Sequence, residues 1–174
     1  NRWLHCDIKA ISLLPNVLLR QQAVDAGCAE AILIRHDPVT ESGFMTEGAA
    51  SNIFAVKDGA LLAPPKDHLM LPGITYDIVL ELAAGHGQPL EIREIHENEL
   101  RAADEVWMTS STKEILAITT LDGQPVANGK PGPVGEKAAT ARNLWVPAVN
   151  RNGTWGQWSY VVVGDPASSK PLIE

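Results

Sequence analysis

The stretch Ile53-Phe54-Ala55-Val56-Lys57-Asp58-Gly59-Ala60-Leu61-Leu62-Ala63 decides the fold class of this chain. Two short apolar runs flank an Asp58-Gly59 pair, and such a pair accepts the positive φ angles that a two-residue turn between antiparallel strands requires. The stretch predicts a hairpin, residues 53–56 against 60–63. Beyond it Pro72-Gly73 breaks the chain, and from Ile74 the apolar positions Ile78, Val79 and Leu82 recur at helical spacing as far as Gly85 or Gly87. Upstream, residues 7–14 read as a strand leading into a turn. Pro15 is placed to open a helix through Val17, Leu18, Gln22 and Ala23 that ends at Gly27. Residues 29–35 read as a short buried strand, and a loop rich in Asp, Pro, Thr and Ser follows. Downstream, residues 90–95 read as a strand, 97–103 as a short helix, 106–109 as a strand and 115–126 as a second hairpin around Asp122-Gly123. Hairpins and helices mixed in this way predict an α+β domain.

Composition narrows the partners. The chain has 174 residues, 45% of them hydrophobic and 20% charged, enough to bury a substantial core. A formal net charge of -7 opposes general affinity for nucleic acid or anionic membrane, because neutralising phosphates takes a basic face. A small solute is the expected partner. Cys6 and Cys28 stand in unrelated contexts, so neither a disulfide framework nor a zinc site is signalled, and a reducing cytoplasm is the expected compartment. No run is apolar for long enough to span a bilayer, and the N-terminus has no signal-peptide pattern. The five histidines show no metal-ligand spacing. The chain opens at Asn1 and runs almost at once into an apolar stretch, as a piece cut from something longer would. Composition shifts near Gly129-Lys130-Pro131-Gly132-Pro133, beyond which Trp145, Trp155 and Trp158 crowd together. This shift places a boundary at about residue 135, with residues 136–174 as a tryptophan-rich tail.

Four features could carry chemistry. Lys9, in Asp7-Ile8-Lys9-Ala10-Ile11, reads either as a surface lysine on an edge strand or as a desolvated amine able to form a Schiff base. Glu47, among small residues in Thr46-Glu47-Gly48-Ala49-Ala50-Ser51-Asn52, reads as a loop carboxylate, a helix cap or a buried functional acid. Gly73-Ile74-Thr75 opens a helix whose free amides and dipole suit a phosphate, although glycine before a helix is also plain punctuation. Thr109-Ser110-Ser111-Thr112 follows a strand, where hydroxyls hold an anion or satisfy a turn.

These features occur in one order: Arg2-Trp3-Leu4-His5-Cys6-Asp7-Ile8-Lys9, Leu13-Leu14-Pro15-Asn16-Val17-Leu18, Thr46-Glu47-Gly48 with Ser51-Asn52, Leu71-Pro72-Gly73-Ile74-Thr75, Ser110-Ser111-Thr112 with Glu114-Ile115, and Gly129-Lys130-Pro131-Gly132-Pro133. The ordered set resembles the large cofactor domain of the fold-type IV, or class IV, pyridoxal-phosphate aminotransferases, over residues 1–135. The resemblance implies an α+β fold of mixed sheets arranged as a pseudo-barrel with flanking helices, and pyridoxal 5′-phosphate as cofactor. Lys9 matches the family lysine that forms a Schiff base with the cofactor and shuttles the substrate Cα proton. Glu47 matches the carboxylate facing the pyridine nitrogen, which keeps that nitrogen protonated. Ile74 and Thr75 match backbone and hydroxyl donors to the phosphate, Ser110 and Ser111 fall in a further donor segment, and Leu71 matches the apolar residue packed on the ring.

The implied reaction moves an amino group between an amino acid and a 2-oxo acid in ping-pong fashion. The Cys6-Asp7-Ile8-Lys9 context resembles the branch that acts on D-amino acids such as D-alanine. An aminodeoxychorismate lyase of the same family and a catalytically inactive remnant or fusion are the competing readings. The resemblance also implies a homodimer in the full-length form, and a small N-terminal domain that this chain lacks. Tyr76 stands where relatives often carry arginine, which predicts the loss of a positive charge near the phosphate. The tail from Leu144 to Val161 resembles the end of the helicase-nuclease subunits of type III restriction systems, as a fused or frameshifted reading frame would leave; a family-specific extension is the alternative.

Overall fold

A computed structural model describes residues 4–11, 13–36 and 42–133 of the chain. The expected boundary near residue 135 and the tryptophan-rich tail lie outside the described residues. The elements run α1 (Leu14–Asp25), β1 (Ile32–His36), β2 (Gly43–Gly48), β3 (Asn52–Lys57), β4 (Ala60–Ala63), α2 (Ile74–Gly85), β5 (Leu90–Ile92), β6 (Ile95–His96), α3 (Glu97–Arg101), β7 (Glu105–Ser110), β8 (Glu114–Ile118), β9 (Thr120–Leu121) and β10 (Gln124–Pro125). A five-stranded sheet has the order β5-β4-β3-β7-β8, a three-stranded sheet the order β1-β2-β6, and β9 and β10 form a small ribbon.

Both Asp-Gly turns form, although the second hairpin is shorter than residues 115–126, since Glu114–Ile118 pairs with β7 instead. Asp58 and Gly59 have φ of 50° and 79°, and Asp122 and Gly123 have 49° and 76°, the paired positive angles of a turn whose twist matches that of its strands. The first hairpin is β3–β4, and the second closes β9 on β10. Between β4 and β5, which pair in parallel, α2 makes the crossover.

Strand periodicity divides the core in two. Ile53 and Ala55 of β3, with Val106 and Met108 of β7, join Met45 and Ile95 of the smaller sheet in one buried cluster. Phe54 and Val56, with Trp107, face the other way and pack with Tyr76, Val79 and Ala83 of α2. A side chain that alternates faces along a strand can serve both layers, which is why β3 is apolar at nearly every position and buried from Asn52 to Val56. Phe54 stacks on Tyr76 with ring centroids 5.0 Å apart, and the Tyr76 hydroxyl donates to the Pro64 carbonyl at 2.6 Å. Burial, and then the neighbouring Asp77, push the Tyr76 phenol up to about 12.

Four further expectations are corrected. The α+β class holds, but among the described residues the sheets are open and close into no pseudo-barrel, because the turn after β2 carries the chain from one sheet into the other and the two stack over a shared core. The described residues 7–11 and 13 are not a strand. Ile8 N–H bonds to His5 O and Ala10 N–H to Ile8 O, so the backbone spends its donors on local turns before α1. The run 90–95 is two strands, since β5 pairs in parallel with β4 while β6 pairs antiparallel with β2. The loop expected after residue 35 gives way to a strand, β2. Gly43-Phe44-Met45-Thr46-Glu47-Gly48 lacks an apolar alternation, and it forms because β1 pairs along its whole length.

One clamp links the sheet to the start of α2. Asn52, the first residue of β3 and on the Phe54 face by strand parity, donates from Nδ2 to Leu71 O at 2.9 Å and accepts from Gly73 N–H at Oδ1 at 3.1 Å. The two bonds straddle Pro72, which has no N–H of its own. Glu47 Oε2 accepts from Leu71 N–H at 2.9 Å, so three consecutive residues before α2 are held by two buried side chains.

Asn52→Ala, which removes both bonds at once, is expected to cost about 2–3 kcal/mol of stability in urea unfolding. Tyr76→Phe leaves the buried Pro64 carbonyl without its donor and is expected to cost about 1–2 kcal/mol. Because the Tyr76 phenol is raised from 10.0 to about 12 in the fold, its contribution is whole below pH 10 and is lost as pH climbs through about 12. Unfolding measured across that window should show wild type losing stability relative to Tyr76→Phe.

Candidate active site

A cleft of about 510 Å³ opens where the turn before α1, one face of α1, the end of β2, the start of α2 and the end of β7 converge. Each wall has a local cause. Leu13, just before α1, and Asn16, Val17, Arg20, Gln21 and Val24 of α1 line it, at steps of 3, 1, 3, 1 and 3 that place them on one helical face. Asn16 Nδ2 donates to Ala49 O at 2.9 Å and so fastens that helix to the turn that follows Glu47. Within the turn, Ser51 Oγ donates to Glu30 Oε2 at 2.9 Å. A Cβ on Gly48 would collide with that same hydroxyl and come within 3.1 Å of the Ser51 carbonyl, so glycine lets the turn pack closely there. On the opposite side, a Cβ on Gly73 would come within 2.7 Å of Asn52 Oδ1, the clamp atom itself.

Of the seven residues singled out from the sequence, six line the cleft: Lys9, Glu47, Leu71, Thr75, Ser110 and Ser111. Glu47 is 4% exposed, a carboxylate taken almost wholly out of water and oriented by the Leu71 amide. Thr75 is the second residue of α2, and the amides of Ile74 and Thr75 precede any acceptor within their own helix. Ile74 itself is 73% exposed and its side chain does not line the cleft, so it can offer only its backbone. Ser110 Oγ accepts from Lys113 N–H at 3.1 Å and lies 3.4 Å from the Thr112 hydroxyl, so it closes the turn after β7 while facing the cleft. Lys9 is exposed, so the described residues do not supply the desolvation expected for its amine.

The sequence reading missed Arg20, gave Asn16 and Asn52 no role, and named Thr109 only within its hydroxyl cluster, although all four line the cleft. For Asn16 and Arg20 the helical face just given was the available signal, and for Asn52 its parity with Phe54. Thr109 lies directly across from Asn52 in the β3–β7 pairing. Among the described residues lining the cleft the cations are Lys9 and Arg20, and the only carboxylate is Glu47. Tyr76, at which a positive charge was expected to be missing, brings none to the cleft. Its side chain is fully buried against Phe54 and does not line the cleft, so tyrosine at this position acts on the core.

Known proteins resemble this chain in both sequence and fold. A D-alanine aminotransferase of Bacillus licheniformis is 41% identical across 80% of this chain and 47% of its own length. Among solved structures, the branched-chain amino acid aminotransferase of Escherichia coli superposes with a TM-score of 0.71 at 29% identity, over 90% of this chain and 54% of that one. The branched-chain aminotransferase of the thermophilic archaeon Thermoproteus uzoniensis, solved with norvaline, gives 0.70 at 31%, over 82% and 46%. The chain spans about half the length of the curated relatives it matches. The family model for amino-transferase class IV matches residues 1–121, and the chain belongs to that family.

Proposed function

We propose that residues 1–135 are the cofactor-holding part of a pyridoxal-phosphate-dependent transaminase that moves an amino group between a D-amino acid, such as D-alanine, and a 2-oxo acid. One observation carries the reading: a single cleft gathers an amine, Lys9, a buried carboxylate, Glu47, and the amides at the start of α2 that have no acceptor within their helix. The names of the curated relatives support transamination over the lyase chemistry of the same family. Residues 136–174 would be a separate tail, and the full-length enzyme a homodimer working in the cytoplasm.

The residues present suit pyridoxal 5′-phosphate. When bound, that group supplies an electron sink for the charge left at the substrate Cα. Glu47 would hold a proton on a ring nitrogen, since a carboxylate buried this far favours a cationic partner. Lys9 Nζ would hold the cofactor covalently and carry the proton to and from Cα. The Ile74 and Thr75 amides, the Thr75 hydroxyl and Ser111 would receive the phosphate at the positive end of α2. Leu71, fixed at its N–H by Glu47 and at its carbonyl by Asn52, would pack on the ring. The value of the clamp is orientation, because the proton must leave Cα along a line that Lys9 can reach.

Titrating the purified chain with pyridoxal phosphate and reducing with borohydride should attach the cofactor to Lys9, located by peptide mass. Lys9→Ala should abolish the adduct; an adduct that survives unchanged in this variant would sink the reading. Glu47→Gln, which can still accept from Leu71 N–H, should form the adduct yet slow D-alanine transamination by roughly 100-fold or more in the two-domain enzyme.

A further inference from the structure

Among the described residues, the backbone of the turn that carries Lys9 is bonded to the rest of the protein through Cys6. That residue is the only buried one of residues 4–11, at 5% exposure, and its N–H donates to His68 O at 2.7 Å. Leu4, Ile8 and Ile11 are each more than half exposed, and the bonds of Ile8 N–H to His5 O and Ala10 N–H to Ile8 O stay within the turn. Where Lys9 stands therefore follows where the His68 carbonyl stands. His68 lies in the loop between β4 and α2, whose ends are fixed: the Tyr76 hydroxyl holds Pro64 O, and Glu47 and Asn52 hold Leu71. Between those ends the shape is set by Asp67. Its Oδ1 accepts from Leu69 N–H at 2.7 Å while its own N–H donates to Pro65 O at 3.0 Å, so the carboxylate closes a turn around His68. The Lys66–Asp77 ion pair also joins this loop to α2, but both side chains are 46% exposed, where such pairs contribute little. One loop thus presents the His68 carbonyl to the Lys9 turn and, three residues on, the Leu71 amide to Glu47.

We propose that Asp67 is a positioning residue for Lys9, acting through the His68 carbonyl and the Cys6 amide to set where the Lys9 amine stands relative to Glu47. The inference rests on the cofactor reading above, in which Lys9 Nζ condenses with the aldehyde of pyridoxal phosphate and releases water. That step needs the amine in line with the aldehyde. The contacts expected for phosphate and ring, by contrast, belong to α2, Leu71 and Glu47 and do not pass through residues 4–11. Loss of the Asp67 turn therefore moves the amine and leaves the cradle in place, whereas a general loosening would move both. A carboxamide oxygen can close the same turn, so Asp67 supplies geometry and its charge is dispensable.

The test uses the full 174-residue chain. Amide hydrogen exchange is read at Cys6 and Leu71, and attachment of pyridoxal phosphate to Lys9 is followed by the rise of its absorbance near the visible edge. Calorimetry with pyridoxamine phosphate, which has no aldehyde to condense with Lys9, reports the cradle alone. Asp67→Ala should speed exchange at Cys6 by roughly 10-fold with Leu71 unchanged, and slow attachment by roughly 10-fold or more with pyridoxamine phosphate affinity unchanged. Asp67→Asn, which still accepts from Leu69 N–H, should match wild type in every reading. An unchanged Cys6 amide, equal acceleration at Cys6 and Leu71, a matching loss of pyridoxamine phosphate affinity, or an Asp67→Asn variant as impaired as Asp67→Ala would each overturn the proposal. If Asp67→Ala does not fold, Asp67→Glu, whose carboxylate stands one methylene too far out for the turn, is read in the same way. Should pyridoxal phosphate fail to attach to wild type, the cofactor reading falls, and exchange at Cys6 against Leu71 still decides whether Asp67 holds the Lys9 turn.

Discussion

The two hydrogen bonds from Asn52 across Pro72, with the Glu47 carboxylate on Leu71 N–H, tie the sheet to the helix that begins the cleft. A proline in an exposed connection would leave its neighbours free to swing, since it offers no donor and breaks any ladder. Here the carbonyl before it and the amide after it are both taken by one side chain that is 4% exposed. The direction of α2 follows, and with it the direction of the amides of Ile74 and Thr75. Phe54 on Tyr76 then secures the same helix about its axis from the next position on that face of β3. Polar clamp and aromatic stack thus share one strand, two residues apart, because side chains two apart point the same way.

That arrangement places a buried acid where burial is costly. Glu47 sits at 4% exposure near the end of β2, the strand that β1 covers along its whole length. A carboxylate so placed requires partners, and its bond to Leu71 N–H serves position and satisfaction together. The same logic separates two kinds of polar residue around the cleft. Asn16, Ser51 and Asn52 are spent on holding backbone or side chain in place. Arg20 and Thr109 each present a buried polar atom that no described residue satisfies.

Much was legible in the sequence, and the reasons are local. Asp58-Gly59 and Asp122-Gly123 specify turns through backbone angles that few other pairs adopt without cost. Pro72-Gly73 followed by Ile78, Val79 and Leu82 specifies α2 through periodicity, and the ordered blocks from Lys9 to Ser111 point to the family that the comparisons support. Less legible were segments whose state is chosen by partners far along the chain. β2 carries glycine at both ends and no apolar alternation, yet it is a strand because β1 and β6 flank it. Residues 7–14 look like a strand, but their donors close turns and α1 starts at Leu14.

By itself, then, the sequence determined the turns, the helix over residues 74–85, the α+β class and the order of the chemical residues, because each depends on contacts within a few residues. Only the tertiary structure decided that the described sheets stay open, that Tyr76 serves the core and lies off the cleft, that Ile74 offers only its backbone, and that Arg20 and Thr109 face the cleft with atoms unmet by any described residue. Those outcomes turn on which faces meet across the chain, and facing is a property of packed elements that no run of neighbouring residues encodes.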